Sequence, residues 1–253
     1  MAYFTGGGLG FVLLLLRIGT FESGMFKSIA DKKISKGNML MLFNDWGRFK
    51  KYLCCILIGA PLWYVVGILV TQAPEFGKEL GATELLSAGT GVMYTYIGIS
   101  VGDIFAGMLS QFAKSRKLAM LVFQSLSVVS VIVYLSSTGI TPDKFRWICL
   151  AMGLCVGYWA TFITIGAEQF GTNIRSTVAT TVPNFIRGAL IPINFAFDAL
   201  VSNYGMIKSG YIMMFALTAI SLLALSQLKE SFSKDLNYIE EEAEAKVLLN
   251  SGE

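Results

Sequence analysis

Arg187 stands inside an apolar run, with Asn184 and Asn194 nearby and Pro183 and Pro192 on either side. If a membrane helix starts near Thr177, this arginine lies roughly 15 Å along it at ~1.5 Å per residue. That is near the middle of a ~30 Å hydrocarbon layer. A cation at that depth is costly unless it faces protein or water, which makes it a functional candidate by default. Its natural chemistry is to bind an anionic or carboxylate-bearing group. The alternatives are cross-linking of helices through backbone carbonyls and pairing with Asp103, which also lies in an apolar segment. A carboxylate there can carry a proton, bind a cation or pair with an arginine. Protonation removes its desolvation cost, so proton movement can couple to conformation. A fixed salt bridge or a helix cap is the structural role open to Asp103.

Such residues need helices to hold them, and the composition supplies these. The chain has 253 residues, 54% hydrophobic and 15% charged, with mean hydropathy +0.61. Soluble domains carry ~25% charged residues, so the chain reads as an all-α polytopic membrane protein with lipid as a partner. There is no histidine, which removes zinc-protease motifs and Ser-His nucleophile pairs. Cys54, Cys55, Cys149 and Cys155 sit in apolar runs and read as small hydrophobes. No metal site, cofactor or enzyme activity is expected. The net charge of +3 is small, and its placement matters more than its size; no nucleic-acid partner is expected.

Residues 1–20 are expected to be the end of a preceding transmembrane helix. Residues 21–52 read as a basic cytoplasmic linker, whose MLMLFNDWGRF end fits a short surface helix. A bundle of six transmembrane helices is expected over 53–228, with segments Leu53–Val70, Leu85–Leu109, Leu118–Leu135, Phe145–Ile165, Val178–Leu200 and Tyr211–Leu228. Residues 229–253 form a charged cytoplasmic tail, expected as a frayed soluble helix. Seven Lys/Arg lie between Lys27 and Lys51, and Lys114, Arg116 and Lys117 cluster in a later turn on the same side. The positive-inside bias therefore puts the tail in the cytoplasm, although the turn around Arg175 is no more basic than its outside neighbours. Gly98, Gly102 and Ala106 recur at a spacing that lets a neighbouring backbone approach closely.

The turn GMLSQFAKSRK resembles the loop signature G-x-x-x-D-R-x-G-R-R-K of the major facilitator superfamily. Gly107, Arg116 and Lys117 match it; Gln111, Phe112 and Lys114 replace the aspartate, first arginine and glycine. AEQFGTNIRSTV is similar to the E-x-F-[PG]-T-x-x-R segment of the same transporters, with Glu168, Phe170, Thr172 and Arg175 in place, and FESGMF resembles their E-S-P segment. The resemblance implies the C-terminal half of a bacterial inner-membrane metabolite transporter. Its partner would be the N-terminal half or a second copy, with the small-molecule substrate between the halves. It further implies alternating access with proton coupling, and a cavity lined by the first, second, fourth and fifth segments. Candidate pathway residues are Trp63, Tyr64, Tyr94, Tyr96, Trp159, Asn184, Arg187 and Asn194. Asp103, Glu168 and Arg175 are the coupling or charge-relay candidates. Gly107, Gln111, Arg116 and Lys117 form the inner-gate loop. A passive channel or a structural membrane subunit is the alternative. An intramembrane aspartyl protease using Asp103 and Asp198 is a remote one.

Overall fold

The structure, a computed structural model, describes residues 2–18, 37–234 and 236–240. The chain divides into two units, one ending at Lys36 and the other starting at Gly37. In the first, α1 (Ala2–Ile18) is a single apolar helix of 17 residues. The FESGMF segment, the lysines at 27, 32, 33 and 36, and the tail from 241 lie outside the described residues.

Every regular element among the second unit's described residues is a helix. A 3-10 turn (Met39–Leu42) leads into α2 (Trp46–Leu57), α3 (Ala60–Tyr64) and a π-helical turn (Val65–Val70). After the short α4 (Ala73–Glu79) come α5 (Ala88–Phe112), α6 (Arg116–Leu135), α7 (Pro142–Cys155) and α8 (Trp159–Glu168). The last helices are α9 (Arg175–Gly188), α10 (Leu190–Tyr204) and α11 (Met206–Gln227). Six stretches are long and apolar enough to cross a membrane: Trp46–Val70, Ala88–Phe112, Arg116–Leu135, Pro142–Glu168, Arg175–Tyr204 and Met206–Gln227.

Side-chain caps fix where four of these begin. Asp45, Ser87, Ser115 and Thr141 accept the N–H groups of Arg48, Thr90, Leu118 and Lys144 at 2.8, 3.3, 3.1 and 3.3 Å, satisfying donors the first turn leaves free. The Asp45 cap starts the first span at Trp46, ahead of the apolar run at Leu53. It also makes the preceding turn part of the core: Met41 and Leu42 are buried, and Arg48 Nη1 donates to Met41 O at 2.8 Å.

The tightest packing is between α5 and the α7–α8 span. A Cβ on Gly98 would lie 2.2 Å from Leu150 O, and one on Gly102 2.4 Å from Leu154 O. Reciprocally, a Cβ on Gly153 would lie 2.1 Å from Thr95 O. The two backbones therefore touch through glycines on both sides.

Three spans are interrupted. Pro61 has no N–H to give to the Leu57 carbonyl, and the first span breaks at Ile58–Gly59, where the Ile58 carbonyl accepts from Gln124 Nε2 and Ser221 Oγ, both at 3.2 Å. The fourth breaks between Cys155 and Trp159, and the fifth between Gly188 and Leu190 with Pro192 just beyond. Breaks of this kind persist only where neighbouring groups re-satisfy the backbone.

Candidate functional site: a caged arginine at three helix breaks

The interruptions meet. A Cβ on Gly59 would sit 2.8 Å from the Phe162 ring and 3.4 Å from Ile186, so the first break is packed between α8 and α9. One turn further, Trp63 meets Trp159 edge-on at 5.4 Å, and Trp159 lies 5.2 Å from Phe162. The Arg187 guanidinium lies 5.0 Å from the Trp63 ring centroid and 5.4 Å from that of Trp159. Both indole faces attract the cation, yet Arg187 remains exposed and forms no salt bridge among the described residues. Trp63 Nε1 is a buried donor with no acceptor among them.

Asp103 does not pair with Arg187. Its Oδ1 accepts the Ala160 N–H at 2.9 Å and so caps α8, whose own N-cap residue, Tyr158, supplies no side-chain bond. The cap role is the one this geometry favours for Asp103.

The other pathway candidates do not join the cage. Tyr64 is fully buried, and its hydroxyl donates to Gly210 O at 2.7 Å, tying the first span to α11. Asn184 is turned back onto its own helix, donating to Thr180 O at 2.8 Å. Asn194 accepts from Gln72 Nε2 at 3.4 Å. Tyr94 is half-buried and Tyr96 exposed on α5. Phe162 and Gly59 belong to the site geometry and were not legible as such, being ordinary apolar residues in the sequence.

A second polar group occupies the end of the unit where the tail leaves α11. Arg116 meets Glu168 through Nη2 at 3.3 Å and Nε at 3.4 Å, and Arg116 Nη1 donates to Ser110 Oγ at 3.0 Å. Arg175 donates through Nε to Phe170 O at 3.3 Å and through Nη2 to Leu236 O. Lys117 Nζ reaches Leu228 O at 2.8 Å, a cation on the C-terminus of α11. Gln111 is exposed, and Gly107 faces open space; the pairing at this end runs through Arg116, not Gln111. The described tail residues, 229–234 and 236–240, form no helix, because they are bonded to the bundle end instead. Glu230 accepts from Ser115 Oγ and from the Arg116 and Lys117 N–H groups at 2.9 and 3.2 Å. Burial alone would raise the Glu230 pKa, but these bonds and one from the Phe232 N–H outweigh it and hold the carboxyl down at about 2.

No protein-family model matches the sequence, and no curated protein matches it significantly. The class is therefore defined by the structure: among the described residues every regular element is helical, and six helical stretches are long and apolar enough to span a membrane.

Proposed function

We propose that the chain is the C-terminal six-helix half of a secondary active transporter of the major facilitator type. It moves a small polar metabolite by alternating access, coupled to protons, across a bacterial inner membrane with its tail in the cytoplasm. The observation that carries this reading is Arg187, caged by Trp63 and Trp159 where three spans are interrupted. Interrupted helices are where transporters build substrate sites, since unwound backbone is tolerated only against protein or a wet cavity. The exposed guanidinium, with no salt bridge among the described residues, is a donor suited to an anionic group of the substrate. Asp103 is the carboxylate to which we assign the coupling proton. The other half of the site belongs to a second bundle, either an N-terminal half or another copy, packed on the side where α5 and α10 expose Tyr96, Ile97, Ile104, Ile191 and Phe195.

The test is uptake of isotopically labelled mono- and dicarboxylates, under an imposed proton gradient, by proteoliposomes that hold the chain together with its second bundle. Uptake that a protonophore abolishes, and that Arg187→Ala also abolishes, is the expected result. Uptake indifferent to the gradient favours a passive channel, and no uptake of any carboxylate defeats the assignment of an anionic substrate.

A further inference from the structure

We propose that residues 229–234 and 236–240 are a releasable strap that holds the tail end of the six-helix unit closed. The strap is fastened at three places on three different parts of the fold. At α6, the Glu230 carboxylate sits on the helix N-terminus, taking the Ser115 hydroxyl and the N–H groups of Arg116 and Lys117. At the α8–α9 turn, Gln169 Nε2 donates to Lys229 O at 2.7 Å, and Ser231 Oγ donates to Glu168 at 2.6 Å. There too, Tyr238 OH donates to Gln169 O, and Thr172 N–H to Tyr238 O, both at 2.8 Å. At α2, Glu240 meets Lys51 Nζ at 3.1 Å and Arg48 Nε at 3.7 Å, while its backbone exchanges bonds with the Asn173 amide, both at 3.0 Å.

These fastenings are mostly hydrogen bonds and ion pairs, with the Phe232 ring 5.4 Å from the Arg116 guanidinium besides, so little of the hold is apolar burial. Local opening draws on such segments, poor in buried apolar contact. While fastened, it spans the ends of α2, α6 and the α8–α9 turn, and these cannot separate until it lets go. It also walls a cleft of about 610 Å³, whose opposite side carries Lys50, Lys51 and Cys54. Cys54 is only 8% exposed there and reports on whether the cleft is shut. The inference requires no substrate and stands apart from the transport reading.

The experiment is maleimide labelling of Cys54 in the purified full chain, with Cys55, Cys149 and Cys155 replaced by Ala. Backbone hydrogen exchange is followed in parallel. Removing a carboxylate that accepts several hydrogen bonds should raise the open population, and with it the labelling rate, about tenfold or more in Glu230→Ala and in Glu240→Ala. Exchange in residues 229–240 should be faster than in α6 and α11 in the unmodified chain, and only the tail should accelerate in the variants. Unchanged Cys54 labelling overturns the strap. Exchange of the tail in one cooperative unit with α6 and α11 overturns its being releasable.

Discussion

Asp103 on α5 accepts the N–H of Ala160 on α8 at 2.9 Å, so a carboxylate from one span caps the interrupted half of another. Asn caps a helix about as well as Asp, and Ala does not, at a loss of about 1 kcal/mol. Asp103→Asn should therefore leave the thermal unfolding of the solubilised protein unchanged, while Asp103→Ala lowers stability by about 1 kcal/mol. If the proton is carried there, Asp103→Asn also flattens the pH dependence of uptake. An unchanged profile leaves the residue a cap alone.

Arg187 over Trp63 and Trp159 leads to a different pattern. Cation–π pairs are worth roughly 0.5–2 kcal/mol depending on desolvation, so Arg187→Ala should insert and fold with a loss of about 1–2 kcal/mol. Uptake, by contrast, should fall to background. Arg187→Lys keeps the charge but loses the planar fork that grips a carboxylate and stacks on indole, and should recover only a small part of the rate. Near-normal uptake by Arg187→Ala would remove the arginine from the mechanism.

The spans were legible because apolar runs of membrane length are the loudest signal a sequence carries. Their interruptions were less so: Pro61 and Pro192 mark two, but nothing in GLCVGYW marks the stretch before Trp159 as a break to be capped from another helix. Gly98 and Gly102 announced a close approach, while the glycines opposite them, Gly153 and Gly157, could be paired with them only in three dimensions. Tyr64 and Trp63 are neighbours in sequence, yet one serves the core and the other the cage, since adjacent helical residues face different ways. The tail departed furthest from expectation over its described residues, 229–234 and 236–240. KESFSKDLNYIE has the composition of a frayed helix, and only long-range partners such as Ser115 and Asn173 give it another shape.

Gly153 gives the sharpest packing test. A Cβ there would lie 2.1 Å from Thr95 O, a backbone atom that cannot swing aside. Gly153→Ala should cost more than the ~1–3 kcal/mol usual for overpacking, read as lost thermal stability in micelles. Gly107→Ala, facing open space on the same span as Thr95, should cost nothing and gain about 0.5–1 kcal/mol in helix propensity.

Lys114 adopts φ 51°, the left-handed region that a side chain enters at a penalty of roughly 1 kcal/mol. Lys114→Gly should relieve the strain, and the unfolding midpoint should hold or rise despite the extra chain entropy of glycine. Lys114→Val, β-branched and worse suited to positive φ, should lower it. The same midpoint for all three would show that the turn bears no strain.

The pH range over which the tail stays fastened follows from two groups outside the spans. Glu230 is depressed from 4.5 to about 2, so its contribution is fully present above pH 4.5 and drains away as pH falls toward 2. Tyr238 is raised from 10.0 to about 12, first by burial and then by Glu240, with Arg175 opposing; its contribution is present below pH 10.0 and is lost as pH rises through 12. The tail should therefore be held across the whole neutral range and loosen only at the two extremes. A dye on Lys234→Cys, an exposed strap position, in a chain without other cysteines reads this as fluorescence anisotropy. The expected trace is flat between about pH 5 and 9, with an acid limb that Glu230→Gln erases by lowering the plateau to the acid value and an alkaline limb that Tyr238→Phe erases. A transition near neutrality would mean that some other group fastens the tail.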